Sequence, residues 1–436
     1  MFNWELPTQN TYIVMIQSPL YNPLQEHDAC GVGLIANIQG EKSHNILKGA
    51  IEGLKNLAHR GAIDADAVTG DGAGILTQIP HQLFRKFLEE NGKSLYNDTD
   101  LGVGMLFLPL NDPYAQAHGK HIVEEAVKAE GLSFLAWREV PIDNSCLGKK
   151  AELSRPLIVQ ALVAKGSDMS DDEYERALFL SMRACTRRAG LEKLDDFYIC
   201  SFSCRTITYK GLFNAPQVRK FFLDIRNPEY ITAYAIFHQR FATNTFPDWQ
   251  KAQPYRMMAH NGEINTIRGN RNSMKAREFS EHHGVWGDRY KDLAPMVQEG
   301  MSDSASFDNS LQVMSVSGRS CIEGVSMMMP SAWENDFTIP ENIRAFHRYQ
   351  SVVMEPWDGP AAIAFTDGKI VGASLDRNGL RPARYKVYED DTFILASEVG
   401  LVRSWKAPVI ESGRLGPGKM LAIDFEQKKI IKDDEV

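Results

Sequence analysis

Several absences narrow the chemistry of this chain before any motif is read. No apolar run approaches the ~18 residues that a membrane-crossing helix needs; the longest, such as Leu157 to Ala164, has the length of an interior strand. Cysteine is scarce, with 6 in 436 residues (Cys30, Cys146, Cys185, Cys200, Cys204 and Cys321). No two form a CxxC pair, so a disulfide scaffold is excluded and no zinc or iron–sulfur site is legible. No Lys or Arg precedes Lys42. The start therefore lacks both the positive region of a secretory signal and the arginine-rich face of a transit peptide, and the expected compartment is cytoplasmic. Positive charge is in deficit, 48 Lys and Arg against 56 Asp and Glu for a net charge of -8. That argues against nucleic acid as a partner, because nonspecific affinity for it is built from phosphate neutralisation.

What remains is ordinary globular composition, 43% hydrophobic and 10% aromatic, enough to bury a sizeable core. Residues 1–29 have no helical or alternating period; Pro7, Pro19 and Pro23 among Asn, Gln and Tyr read as an extended arm, in which Met15 offers a second start. From Val32 to Ile38 the apolar content rises over a strand length. Ser43 to Leu57 then places Ile46, Leu47, Ile51, Leu54 and Leu57 at helical spacing. Further helices are predicted over 81–91, 112–130, 171–189 and 264–282. They alternate with β-rich runs at 103–108, 197–209 and 231–237, and strands dominate the C-terminal third at 361–365, 370–375, 392–396 and 420–424. The fold class is α+β. The chain stops just after the strand-like Lys429 to Ile431, which reads as a piece of something longer.

Two segments carry candidate chemistry. In His27-Asp28-Ala29-Cys30-Gly31-Val32-Gly33 a cysteine sits where the arm meets the first buried strand. Free cysteine is among the most buried residue types, and plain burial is the alternative reading. As a nucleophile it gains from the two glycines, which remove Cβ atoms from a substrate's path, and from an arm that can be cut away. Cleavage before Cys30 would give the thiol its own base, an α-amine titrating near ~7.7–8.0. The second segment holds Arg240, in HQRFATNTFP, and Ala259-His260-Asn261-Gly262-Glu263-Ile264-Asn265. An Asn-Gly pair is most often a turn, yet Asn261 through its side-chain amide and Gly262 through its backbone N–H can also make a two-donor oxyanion hole. The planar fork of Arg240 suits a carboxylate. The Thr69–Gly74 run lacks the spacing of a phosphate loop and reads as a glycine-rich turn beside the site. Phe241, Thr243 and Phe246 divide between pocket lining and packing. Cys200 and Cys204, four apart in a β-rich run, would face one side of a straight strand without further ligands for a metal.

These motifs, together with Leu57-Ala58-His59-Arg60-Gly61-Ala62 and Asp376-Arg377-Asn378-Gly379-Leu380-Arg381-Pro382, resemble in order and spacing the glutamine amidotransferase domain of glutamate synthase large subunits, a branch of the class II amidotransferases. The resemblance runs from about residue 21 to the C-terminus. It implies a four-layer αββα sandwich of the N-terminal nucleophile hydrolase type, with residues 1–29 a propeptide-like arm and 30–436 the glutaminase domain. It implies Cys30 as nucleophile, Asn261 and Gly262 as oxyanion hole, Arg240 on the glutamine α-carboxylate and Asp303 on its α-ammonium. Arg60 would brace the cysteine end, and Arg60 and Thr243 join the substrate-binding set. Without the resemblance, Asp303 reads as the N-cap of a helix over 306–316. A synthase domain is absent from this chain. The resemblance places FMN, a 3Fe-4S cluster and an NAD(P)H-linked reductase subunit or ferredoxin with the whole enzyme, and none of them in this segment; L-glutamine is the expected substrate. Two alternatives stand beside it: another N-terminal nucleophile amidohydrolase, or a non-catalytic module that keeps the fold. The chain departs from the family in having Cys200 and Cys204 where serine is usual and in an arm whose first residues are unlike a usual start; neither departure touches the expected site.

Overall fold

The computed structural model describes residues 31–240, 246–279 and 284–436. In chain order its strands are β1 (Gly31–Asn37), β2 (Ala73–Gln78), β3 (Leu101–Leu108), β4 (Ser133–Glu139), β5 (Leu157–Ala164), β6 (Tyr198–Ser203), β7 (Thr206–Gly211), β8 (Tyr234–Gln239), β9 (Met258–Gly262), β10 (Ala361–Thr366), β11 (Ile370–Leu375), β12 (Arg384–Tyr388), β13 (Thr392–Ala396), β14 (Val409–Arg414), β15 (Met420–Asp424) and β16 (Lys429–Lys432). The helices are α1 (His44–Asn56), α2 (His81–Glu90), α3 (Pro113–Ala129), α4 (Lys149–Leu153), α5 (Asp171–Leu191), α6 (Ala215–Phe221), α7 (Ile267–Arg277), α8 (Asp303–Val316), α9 (Cys321–Met328) and α10 (Glu341–Val353).

Strand β1 reads GVGLIAN, apolar up to its final Asn37, because it is buried on both faces. Its Val32, Leu34 and Ala36 meet Leu76 and Ile236 and, across the sandwich, Ala259, Ala362, Ala364, Val371, Ala373 and Leu375. The other face of β1 presents Ile35 to Ile46, Leu47, Ala50 and Leu54 of α1. Helix α1 begins where predicted, at Ser43, whose Oγ accepts the Ile46 N–H at 3.3 Å. Beyond the second sheet, Ile363 and Phe365 share a core with Phe307, Leu311 and Val325 of α8 and α9. Helices, sheet, sheet and helices thus stack in four layers, the αββα sandwich expected of an N-terminal nucleophile hydrolase.

The first sheet of the sandwich has seven strands in the order β14-β12-β13-β1-β8-β2-β7, the second five in the order β16-β15-β11-β10-β9. A third, β4-β5-β3-β6, is built from chain lying between β2 and β7 and packs against α3 and α5. Both of those helices are well started: Asp112 caps α3 ahead of Pro113, and Ser170 with Glu173 forms a capping box on α5.

Four details differ from the sequence reading. The β-rich run at 197–209 is two strands in two sheets, broken at Cys204-Arg205. Cys200 sits at a register shift against β3, and Cys204 lies past the strand end, so the two thiols enter different cores rather than one face. Helix α7 starts at Ile267, because residues 264–266 are taken up by the site loop. The glycines of β1 make room for buried neighbours: a Cβ on Gly31 would lie 2.8 Å from Leu57, at the end of α1, and one on Gly33 would lie 2.2 Å from the Phe237 ring of β8.

Candidate active site

One end of the sandwich gathers the segments singled out by sequence. Gly31 pairs with Gln239 at the end of β8, and Ala73 at the start of β2 pairs with the same residue. Arg240, Asp71 and Gly72 therefore sit beside the start of β1. The second sheet is held in step by a bond across the sandwich: His238 Nε2 donates to the His260 carbonyl at 3.0 Å. Burial pushes the His238 imidazole down to about 3, so the ring stays neutral and the bond persists across ordinary pH. Strands β8 and β9 consequently run out together, bringing Arg240 to the same end as Asn261 and Gly262.

Arg240 is held in a conformation that a free chain avoids. Its φ is 93°, a region rarely visited by residues with a side chain, and its N–H donates to the Gly72 carbonyl at 2.8 Å. The guanidinium is 9% exposed and its Nε lies 3.5 Å from Asp71 Oδ2, whose own side chain is 5% exposed. Gln239 Nε2 donates to Asp71 Oδ1 at 3.2 Å. Burial pushes the Asp71 carboxyl up to about 6, against the opposing pull of Arg240. Asp71 thus titrates near neutrality, unlike an exposed carboxylate. The Thr69–Gly74 turn is the element that delivers it, and the sequence reading had no role for this residue.

Asn261 and Gly262 close β9, opposite Ala362 and Ala361 of β10. Gly262 has φ 143°, and a Cβ there would lie 1.7 Å from the Pro360 carbonyl oxygen; only glycine fits. That carbonyl accepts the next N–H, from Glu263, at 2.9 Å. The free edge of β9 is covered by a side chain: His260 N–H donates to Gln253 Oε1 at 2.7 Å, and Gln253 Nε2 donates to the His260 carbonyl at 3.2 Å. Asp376, in the second arginine-rich motif, accepts the Ala361 N–H at 3.0 Å and pins the start of β10 beside Gly262.

Asp303 occupies the first turn of α8, but it is not the cap. Ser302 is, with its Oγ accepting from Ala305 N–H at 3.1 Å. Relieved of capping, the Asp303 carboxylate accepts the Ile264 N–H at 2.8 Å and lies next to the loop that leaves Gly262. Arg60 and His59 both grip Glu398, His59 at 2.9 Å. Glu398 follows Ser397, whose N–H donates to the Val32 carbonyl at 3.0 Å, so Arg60 stands at the start of β1. Cys30, Phe241 and Thr243 lie outside the described residues. Phe246 is 90% exposed, so it does not pack into the core. The roles of Asp71, Glu398, Gln253 and His238 escaped the sequence reading, since each is a buried or half-buried polar residue whose partner only the fold reveals.

Among the described residues no three His, Cys, Asp or Glu side chains come together as metal ligands, and no helix is long and apolar enough to cross a membrane. Burial pushes the thiols of Cys185 and Cys200 up to about 12, as expected of inert core residues.

Comparison with known proteins matches residues 30–436 to the family model "Glutamine amidotransferases class-II". The chain is 44% identical over 416 residues to "Glutamate synthase [NADPH] large chain" of Azospirillum brasilense, covering 95% of this chain and 27% of that protein. It is 42% identical to "Ferredoxin-dependent glutamate synthase 2" of Synechocystis sp., covering 95% and 26%. A third relative, "Glutamate synthase [NADH]" of Schizosaccharomyces pombe, is also 42% identical, covering 96% and 20%. The chain spans about a quarter of the length of the relatives it matches.

Proposed function

This chain belongs to the class-II glutamine amidotransferases, and from that premise we propose that residues 30–436 hydrolyse L-glutamine to glutamate and ammonia as the glutaminase part of a glutamate synthase. The observation that carries the reading is the convergence of Arg240, Asn261, Gly262 and Asp303 at the sandwich end where β1 begins, one residue after Cys30. In this reading residues 1–29 are removed and the α-amine of Cys30 takes the thiol proton. The thiolate attacks the side-chain amide carbon of glutamine. The oxyanion that forms is met by the Asn261 side-chain amide and the Gly262 N–H, fixed donors that need no reorganisation. Collapse of the intermediate expels ammonia, which receives its proton from the α-ammonium, and water then cleaves the glutamyl thioester to glutamate.

Arg240 holds the α-carboxylate, Asp303 holds the α-ammonium, and together they select a free amino acid over an acyl chain. Arg60, with Thr243, completes the substrate-binding set, and Arg60 braces the cysteine end through Glu398. The ammonia passes to a synthase domain in the remaining length of the parent polypeptide for reductive amination of 2-oxoglutarate. FMN and a 3Fe-4S cluster belong to that part and supply its electron transfer, with NAD(P)H through a reductase subunit, or ferredoxin, as donor. The compartment we assign is the cytoplasm.

Intact mass measured before and after treatment with a glutamine-mimicking diazo-ketone tests the reading. We expect loss of residues 1–29 and a single adduct that is absent in Cys30→Ala. A full-length mass with no adduct, in this chain and in the complete parent polypeptide, refutes it.

A further inference from the structure

The seven-stranded sheet extends beyond its helices. Helix α1 packs on β1 and β8, and α6 on β2. Along β13, β12 and β14 the outer face is flanked instead by the loop at 398–402, and between them lies a cavity of about 410 Å³. Its floor is apolar: Tyr388, Ile394, Ala396, Leu401 and Val402. Its rim is cationic, from Arg384 and Lys386 of β12 and Arg414 of β14.

Strand register makes the cationic rim unusual. Arg384 lies directly opposite Arg414, and Lys386, two residues along the same face, lies opposite Ser412. Like charges in directly opposed positions repel. A carboxylate between them would be the ordinary remedy, yet none of the three cations has an ion-pair partner among the described residues. One acid, Glu398, also lines the cavity but is committed to Arg60 and His59, and Glu411 is committed to Tyr385 and Lys432.

We propose that this cavity is a second ligand site, separate from the glutaminase centre, for a small organic dianion with an apolar body. The two arginine forks take the charged end, bridging a pair that otherwise repels, and Lys386 adds a third donor. Ile394, Ala396, Leu401 and Val402 take the body. The volume lies in the range of small-molecule sites, ~300–1,000 Å³. The site stands on the cavity, the strand register and the unpaired cations and does not depend on the glutaminase reading.

Isothermal titration calorimetry of the full 436-residue chain tests it, with phenyl phosphate and phthalate as two dianions that carry a ring, inorganic phosphate as charge without a body, and benzyl alcohol as a body without charge. One-to-one binding of at least one ring-bearing dianion is expected, about tenfold or more tighter than inorganic phosphate, with no heat from benzyl alcohol. The double variant Arg384→Gln/Arg414→Gln should weaken that binding at least about tenfold, from loss of two charge-assisted hydrogen bonds. It should melt like the parent and keep its glutaminase rate. Silence with both ring-bearing dianions overturns the proposal, as does equal binding to the double variant. Inorganic phosphate bound as tightly as the ring-bearing dianions would also overturn it, because the apolar floor would then contribute nothing.

Discussion

Replacing Asp71 with Asn should make the protein more stable and less able to bind glutamine, with both effects governed by pH. The carboxyl of Asp71 is buried and pushed up to about 6. Each pH unit between an ordinary carboxyl value, ~3.9, and that figure corresponds to ~1.4 kcal/mol, so ionising Asp71 in the folded chain costs about 3 kcal/mol. The folded pKa is raised, so the stability that protonated Asp71 contributes is complete below ~3.9 and is lost as pH climbs through about 6. Asn cannot ionise, and its Oδ1 still accepts from Gln239. The stability difference between Asp71→Asn and the parent should therefore grow in favour of the variant by about 2–3 kcal/mol between pH 4 and pH 8. Urea unfolding of both proteins at several pH values reads that difference directly, and contributions from other titrating groups cancel. Function should move the other way. Arg240, strained at φ 93° with its Nε 3.5 Å from Asp71 Oδ2, loses that ion pair, so the KM for glutamine should rise about tenfold or more with a smaller change in kcat. In the parent, KM should likewise rise as pH falls below about 6. A stability difference that is flat with pH, or that shrinks towards pH 8, refutes the assignment.

Two further substitutions probe the site, and a third probes the packing of β1. Gly262→Ala would drive a Cβ into the Pro360 carbonyl at 1.7 Å, and it should cost about 2–3 kcal/mol in urea unfolding and lower kcat about 100-fold as the N–H swings off the oxyanion position. Asp303→Asn keeps an acceptor for the Ile264 N–H but removes the charge; melting temperature should hold while the KM for glutamine rises about 10- to 100-fold in a coupled glutamate assay. Gly33→Ala meets the Phe237 ring at 2.2 Å, so it should destabilise by about 1–3 kcal/mol in the same unfolding assay and leave kcat/KM per folded molecule unchanged.

The elements that could be read from sequence were those whose burial repeats locally. Helices α1, α2, α3 and α5 show an apolar stripe with a start signal, and β1, β5, β10 and β13 are short apolar runs between turn residues. Strand β14, VIESGR, escaped because it is an exposed edge with no buried face to impose alternation, and α9, CIEGVSMM, escaped because it is short and buried nearly all round; α10 carries an amphipathic stripe that the sequence reading passed over. The split at 204–205 was invisible for a different reason: two strands in succession look like one until their partners are known. Within the site, Arg240, Asn261, Gly262 and Asp303 were reached through linear motifs. Asp71 and Glu398 act on residues far away in the chain, and Gln253 reaches His260 across an irregular loop; nothing in their own neighbourhood announces it. The cap at 302–303 shows the limit most sharply, since Ser302 and Asp303 both suit an N-cap and only the position of the Ile264 N–H decides which of them is left for other work.

The hydrogen bonds of Gln253 bear on more than local geometry. Strand β9 is an edge, and an edge strand with bare peptide groups invites a strand from another molecule. At His260 the primary amide of Gln253 imitates a neighbouring strand, offering one acceptor and one donor to the outward-facing peptide. The seat is filled by a side chain of the same chain. The strand that ends in Asn261 and Gly262 is thereby shielded at that peptide from β-sheet extension and the aggregation that follows from it, and an open, functional edge can persist in solution without a covering strand.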